Sequence, residues 1–325
     1  MTKGTLGRKP FTMKATFACP GPQCGAQYFV SLQVLHAYLR GTPAECAKCR
    51  TSLDMFEIMI RSTDFFFSKF DAIGARTTHF QIGLKPGQVV KVDFRKRIGR
   101  DARILHVNYT SQSDGEHAVT AVEVHGNTPV RKNLPVVHLL GRPVPGTSPK
   151  FKGTVGVAVW WVPPSPDDQA WRSLVDAYEE FHEETYAAVV VPANVAVEAR
   201  IGRLLDDFLR YKGFSKERVE NFLTDGATYG HQLAILLPLI ADMTRRPRMP
   251  EVVSTKLRAL KKIRNEMAHG GAPDKPVTRQ DAISYLVAAT LASVYVDMIR
   301  ASLRLRSSSL SKPRSGSVPS RSKQS

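Results

Sequence analysis

The chain has 325 residues, with 46 Lys and Arg against 29 Asp and Glu, a formal charge of +17 and a pI near 9.9. A hydrophobic content of 42% excludes wholesale disorder, and the length allows roughly two or three domains with an ample core. A basic surplus of this kind fits a polyanionic partner, nucleic acid before an acidic membrane surface, or a basic soluble protein with no such partner.

The surplus is uneven. It is +4 in residues 1–60 (7 basic against 3 acidic), +8 in 61–163 (15 against 7), +1 in 164–306 (20 against 19) and +4 in 307–325 (4 against none). Residues 1–15 form a basic leader without periodicity. Met1 to Lys14 has no apolar segment of the secretory kind, which predicts a cytoplasmic protein with reduced thiols. Residues 16–60 hold all four cysteines, as Cys19-Pro-Gly-Pro-Gln-Cys24 and Cys46-Ala-Lys-Cys49. Close pairs in tight turns can offer four thiolates to one tetrahedral ion, so a structural zinc on Cys19, Cys24, Cys46 and Cys49 is expected; four unconnected thiols are the alternative. Such a site is filled by protein ligands and leaves no position for a catalytic water.

Residues 61–163 read as a small antiparallel β domain, a barrel or sandwich. Strand-like runs at Val89–Phe94, Arg103–Tyr109, Ala118–Val124, Pro135–Leu140 and Val155–Val162 are divided by Lys85-Pro86-Gly87, Ser113-Asp114-Gly115 and Gly126-Asn127. Lys91, Arg95, Lys96, Arg97, Arg100 and Arg103, with Phe94 among them, would track phosphates if they left one face; a solvated strand edge reads equally well.

Residues 164–306 turn helical. Ser165-Pro166-Asp167-Asp168 is a helix start, followed by Trp171, Leu174, Val175, Tyr178 and Phe181 at helical spacing. A second helix runs to about Tyr211, with Pro192 near its beginning and Val197, Ile201, Leu204, Leu205 and Phe208 on one stripe. A third region, Ser215 to about Met243, is interrupted at Thr224-Asp225-Gly226. A fourth helix begins near Pro250 and ends at Gly270-Gly271. A fifth begins at Thr278 and continues to about Arg306. Its uncharged stretch Ala282–Val296 is 15 residues long, short of the roughly 20 that span a bilayer, so a buried helix and no membrane partner are expected. Residues 307–325 carry nine serines and two prolines and are expected to be disordered. The fold class is therefore multidomain α+β: a zinc module, a small antiparallel β domain and a C-terminal helical bundle.

The fourth helix holds the sharpest pattern. Arg264 and His269 stand five residues apart, about 140° around a continuous helix, and a glycine cap at Gly270 would let His269 turn back toward Arg264. A guanidinium beside a titratable imidazole suits phosphodiester chemistry. Both residue types also favour a helix C-terminus for dipole reasons alone.

Arg264-Asn265-x-x-x-His269, late in an α bundle, resembles the signature of the HEPN superfamily. The resemblance covers about residues 165–305, with Ala196-Val197-Glu198 and Tyr229-Gly-His-Gln-Leu in support. It implies a homodimer with a composite cleft and, in many members, a metal-independent endoribonuclease of toxin, antiphage or RNA-processing systems. Arg264 and His269 would then be catalytic, Asn265 would orient the motif or contact RNA, and Glu198 would support it. Beside the motif, Arg258, Lys261, Lys262 and Asn265 lie at helical spacing on one polar face, which would hold RNA phosphates or simply be solvated. Inactive branches imply an alternative, a non-catalytic dimer that binds nucleic acid or protein, or a bundle that senses nucleotides. The cysteine segment resembles a zinc ribbon or treble clef.

Overall fold

The structure is a computed structural model and describes residues 16–29, 32–61, 75–112, 119–124, 134–144, 152–163, 169–270, 273 and 275–310. The leader, the helix start at Ser165–Asp168, the turn signals at 113–115 and 126–127, Gly271 and the tail beyond 310 lie outside them.

The cysteine segment opens with a hairpin of β1 (Thr16–Ala18) and β2 (Gln27–Phe29), whose connecting loop carries Cys19 and Cys24. Helix α1 (Leu32–Leu39) follows, then the Cys46–Cys49 turn, closed by a bridge between Glu45 and Ser52. Helix α2 (Met55–Arg61) starts where the Asp54 carboxylate accepts hydrogen bonds from the Phe56 and Glu57 amides.

Two three-stranded antiparallel sheets come next. One is ordered β3 (Arg76–Leu84), β8 (Gly153–Val162), β5 (Arg103–Gln112); the other β4 (Val89–Asp93), β7 (Val136–Pro143), β6 (Val119–Glu123). Leu84, Val92, Phe94, Ile104, Val137, Leu139, Val155, Val157 and Val159 fill the space between them, so the domain is a sandwich. Strand β8 shows why its sequence is nearly all apolar. Val155, Val157 and Val159 face the sandwich interior, while Ala158, Trp160 and Val162 join the core of the helical bundle.

After β4 the chain departs from the expected strand edge. Arg95, Lys96 and Arg97 lie on a one-turn helix, α3 (Arg95–Ile98), rather than on a strand edge. Phe94 is fully buried and belongs to the core, not to an exposed stacking surface.

The bundle contains α4 (Gln169–His182), α5 (Val190–Tyr211), α6 (Lys216–Asn221), α7 (Tyr229–His231), α8 (Leu237–Met243), α9 (Glu251–Gly270) and α10 (Arg279–Leu310). Wide π-helical turns at Phe222–Gly226 and Gln232–Leu236 break the third region, the first where Thr224-Asp225-Gly226 predicts an interruption. The second precedes Pro238, whose missing N–H and bulky ring cannot continue a regular ladder. Helix α10 is capped reciprocally: the Asp281 carboxylate accepts from the Thr278 amide at 3.1 Å, and the Thr278 hydroxyl accepts from the Asp281 amide at 3.1 Å. It forms the centre of the fold, with every residue from Ala282 to Val296 buried, packing on α1, α2, α4, α5 and α9. Among the described residues it is the helix long and apolar enough to cross a membrane, and 94% of its apolar window is buried inside the protein. Its backbone continues to Leu310, four residues into the stretch expected to be disordered.

The cysteine segment shares this core. Cys19, Cys24, Cys46, Leu35, Leu39 and Met59 form one apolar cluster with the bundle residues of α5, α9 and α10.

Candidate functional site

The four cysteine sulfurs lie within 4.8 Å of one another. Cys19 Sγ is 3.6 Å from Cys49 Sγ, and Cys24 Sγ is 3.6 Å from Cys46 Sγ. A disulfide needs about 2 Å, whereas a tetrahedron of zinc–sulfur bonds of about 2.3 Å puts its sulfurs about 3.8 Å apart. The cluster is therefore compatible with one bound metal ion, as the spacing of the cysteines predicts.

The backbone prepares the cluster for negative charge. The Gly21 amide donates to Cys19 Sγ at 3.3 Å, and the Lys48 and Cys49 amides donate to Cys46 Sγ at 3.4 Å. Gln23 and Arg50 take left-handed backbone angles (φ 59° and 60°) that turn the chain around each pair. Lys48 Nζ donates to the Cys24 carbonyl at 2.7 Å and ties one turn to the other. Gly21 admits no side chain: a Cβ there would sit 2.7 Å from Thr51 Oγ1, 2.9 Å from Cys49 Sγ and 3.3 Å from Cys19 Sγ. Burial pushes the Cys19 thiol up to about 12, while the Thr51 hydroxyl beside Cys49 lowers that thiol. Without a cation such a cluster keeps protons; a divalent ion would replace them. Cys49 is the exposed member and the other three are buried.

The basic run of the sandwich does not act as a unit. Arg95 forks onto Asp93, with Nε–Oδ1 and Nη2–Oδ2 both 2.9 Å. The Arg97 guanidinium lies 4.5 Å from the centroid of the Phe80 ring. Arg103 bridges to α4, 2.8 Å from Asp176 Oδ1 and 2.6 Å from Glu179 Oε2, and so fastens the sandwich to the bundle. Arg100 lines a cavity together with four carboxylates. Among the described residues, Lys91 and Lys96 have no ion-pair partner.

In the bundle, Leu257 and Leu260 of α9 are buried, with Ile263 and Met267 packed beside them, as the apolar spacing predicts. Arg264 is half-buried and its Nη1 donates to Asn265 Oδ1 at 3.2 Å; no carboxylate pairs with it among the described residues. Lys262 pairs with Glu266 at 3.7 Å, and Lys261 drapes its ammonium over Gly230, where a Cβ would meet Nζ at 2.4 Å. The helix ends at Gly270, as expected, but Gly270 has no left-handed backbone angle, and His269 lies within the helix instead of being released by a cap. His269 is thus exposed and held in helical register, about 140° around the axis and about 7.5 Å along it from Arg264. A terminal glycine permits a left-handed cap but does not impose one.

On α5, Glu198 accepts a hydrogen bond from Asn194 Nδ2 at 3.3 Å. Buried Tyr229 lies near it, and burial together with the Glu198 charge raises the phenol. The Tyr229 hydroxyl, Asn194 Oδ1 and Gln232 Oε1 are all buried without a protein partner. Asn194 is absent from the sequence expectations, and Gln232 stands there only within Tyr229-Gly-His-Gln-Leu. The only signal was a polar residue on an otherwise apolar stripe (Ala193, Val197, Ile201), which spacing alone does not separate from a solvated position.

Compared with family models, with curated proteins and with solved structures, the chain matches none.

Proposed function

We propose that the protein is a cytoplasmic, homodimeric HEPN-type endoribonuclease that cuts single-stranded RNA without a catalytic metal, with a structural zinc on Cys19, Cys24, Cys46 and Cys49. The observation that carries the reading is Arg264: a half-buried guanidinium on a bundle helix, next to Asn265, with no carboxylate to neutralise it. A cation left in that state suits a phosphoryl group better than it suits packing.

The chemistry follows from the two side chains. An imidazole of His269 takes the proton of a ribose 2′-hydroxyl as its oxygen attacks the adjacent phosphorus. Arg264 holds the non-bridging oxygens as their charge grows, and the 5′-oxygen departs with the proton returned by the imidazolium, leaving a 2′,3′-cyclic phosphate. Within one straight helix the two residues point apart, so one copy does not present both to the same phosphate. Two copies packed with their α9 helices face to face would supply Arg264 from one and His269 from the other. An apolar stripe on the third helical region supports pairing: Ile235, Leu239 and Met243 recur at i, i+4 and i+8 and are 58%, 50% and 46% exposed.

A second reading, a non-catalytic dimer that binds nucleic acid or protein, is favoured by the protein-filled cysteine site and by the exposure of His269. One assay separates the two. The zinc-loaded protein is incubated with labelled single-stranded RNA in EDTA, beside His269→Ala. Cleavage by the wild type and not by the variant supports the nuclease; equal cleavage, or none by either, removes it.

A further inference from the structure

A cavity lies where the sandwich meets the bundle and plays no part in the nuclease chemistry proposed above. It encloses about 520 Å³ and is walled by Leu134, Pro135, Ala102 and Ile104 on one side. The α4 side presents Asp176, Glu179, Glu180 and Glu183, and Arg100 and Arg103 complete the lining. That volume is within the range of small-molecule sites, which pair apolar walls with a few placed charges.

The charges are ordered along the cavity. Arg103 meets Asp176 and Glu179, while His106, three residues further along β5, stacks on His182 with ring centroids 5.9 Å apart. Strand β5 and helix α4 therefore run in the same direction here. Arg100, in the turn that leads into β5, and Glu183, seven residues or about 10 Å along the helix from Asp176, both line the cavity.

The charges are also unequally satisfied. Arg103 is shared by Asp176 and Glu179, and Glu180 accepts a hydrogen bond from the Thr185 hydroxyl at 2.6 Å. Among the described residues, Arg100 and Glu183 have no ion-pair partner. The four carboxylates outnumber the two guanidiniums. An RNA strand is excluded from such a surface by its own charge, so Arg100 is no phosphate tracker.

We propose that this cavity binds arginine or lysine bearing a free α-carboxylate, either as the amino acid or as the last residue of a peptide. The carboxylate meets Arg100, the guanidinium or ammonium meets Glu180 and Glu183, and the methylene stem lies along Leu134, Pro135 and Ile104. Because the walls come from both the sandwich and α4, an occupant would clamp one onto the other, as a sensed small molecule does.

Isothermal titration of the full, zinc-loaded chain tests this without RNA, so its outcome is independent of whether the protein is a nuclease. The titrants are L-arginine, L-lysine and the dipeptide Gly-Arg, with L-leucine and agmatine as controls; the variants are Arg100→Gln and Glu183→Gln, both at the surface. Saturable binding of the basic titrants is expected, weakened at least about tenfold by either variant and by removal of the carboxylate in agmatine. Tighter binding of free arginine assigns the amino acid as ligand, and tighter binding of Gly-Arg assigns a peptide terminus. No saturable binding, equal binding of leucine, or affinities unchanged in both variants would overturn the proposal.

Discussion

If catalysis is shared between two copies, two inactive variants should repair each other. In α9 the Arg264 and His269 side chains leave the helix about 140° and about 7.5 Å apart, so the proposed sites draw one residue from each copy. Arg264→Ala and His269→Ala alone should each lower cleavage about 100-fold or more, the usual cost of losing an acid–base group or a transition-state cation. Co-expressed in equal amounts, they pair at random, and about half of the dimers are mixed. Each mixed dimer has one site with both substitutions and one with neither, so the population should recover about one quarter of wild-type activity. The readout is the initial rate on a fluorescent single-stranded RNA in EDTA, with the two variants differently tagged so that the mixed dimer can be purified and assayed alone at about half activity. Doubly substituted protein mixed with wild type gives the converse, since its mixed dimers have no intact site. A mixed dimer as inactive as either parent, while the wild type cleaves, would refute the shared site and place both residues at one phosphate within one copy.

Purified protein should carry one zinc per chain by elemental analysis, and Cys24→Ser or Cys46→Ser should lose it together with the thermal transition of the whole chain, because these sulfurs sit in the bundle's own core. Gly21→Ala should weaken metal retention against a competing chelator although no ligand changes, since its Cβ would crowd Thr51, Cys49 and Cys19. Burial lowers His106 and His36 from the ordinary histidine value of 6.5. The unfolded chain therefore takes up protons that the folded chain refuses, and stability is full above that value and falls as the pH drops below it. Thermal midpoints measured at about pH 7.5 and pH 5.5 should decline toward acid, less steeply in His106→Gln; identical slopes would discount the histidine. For RNA binding by the His269→Ala protein, six phosphate contacts from Arg95, Lys96, Arg97, Arg100, Lys261 and Lys262 would give a salt slope of about −4, but the three not held by carboxylates or acidic walls predict about −2. Fluorescence anisotropy across a salt series decides between them.

The sequence reading succeeds where the determinants are local. The two cysteine pairs close on themselves within a few residues, so their spacing alone predicts the cluster. Helix α10 announces itself by the uncharged run Ala282–Val296 and by a start at Thr278, and both appear as expected. Failures occur where the decisive partner is remote or where a local signal only permits an outcome. Phe94 continues the inward alternation of Val92, which placed it in the core rather than among the basic residues that surround it. Gly270 permits a left-handed cap, yet nothing in its sequence forces one, and the helix reaches it without one.

Charge shows the same division in energetic terms. A formal +17 counts every cation alike, but the fold assigns them unequal work. Arg95 is matched by Asp93 two residues away, Arg103 by acids 73 and 76 residues distant, and Arg97 by an aromatic face. A guanidinium already held in a forked ion pair gains little from a phosphate, because it must first give up a partner of similar geometry. The cations able to bind a polyanion are then those that the fold leaves unmatched, and Arg264 is a half-buried one of these, on the same helix as His269. Composition can identify a basic protein. Only the pairing of its charges separates the cations that hold the fold from those left to meet a ligand.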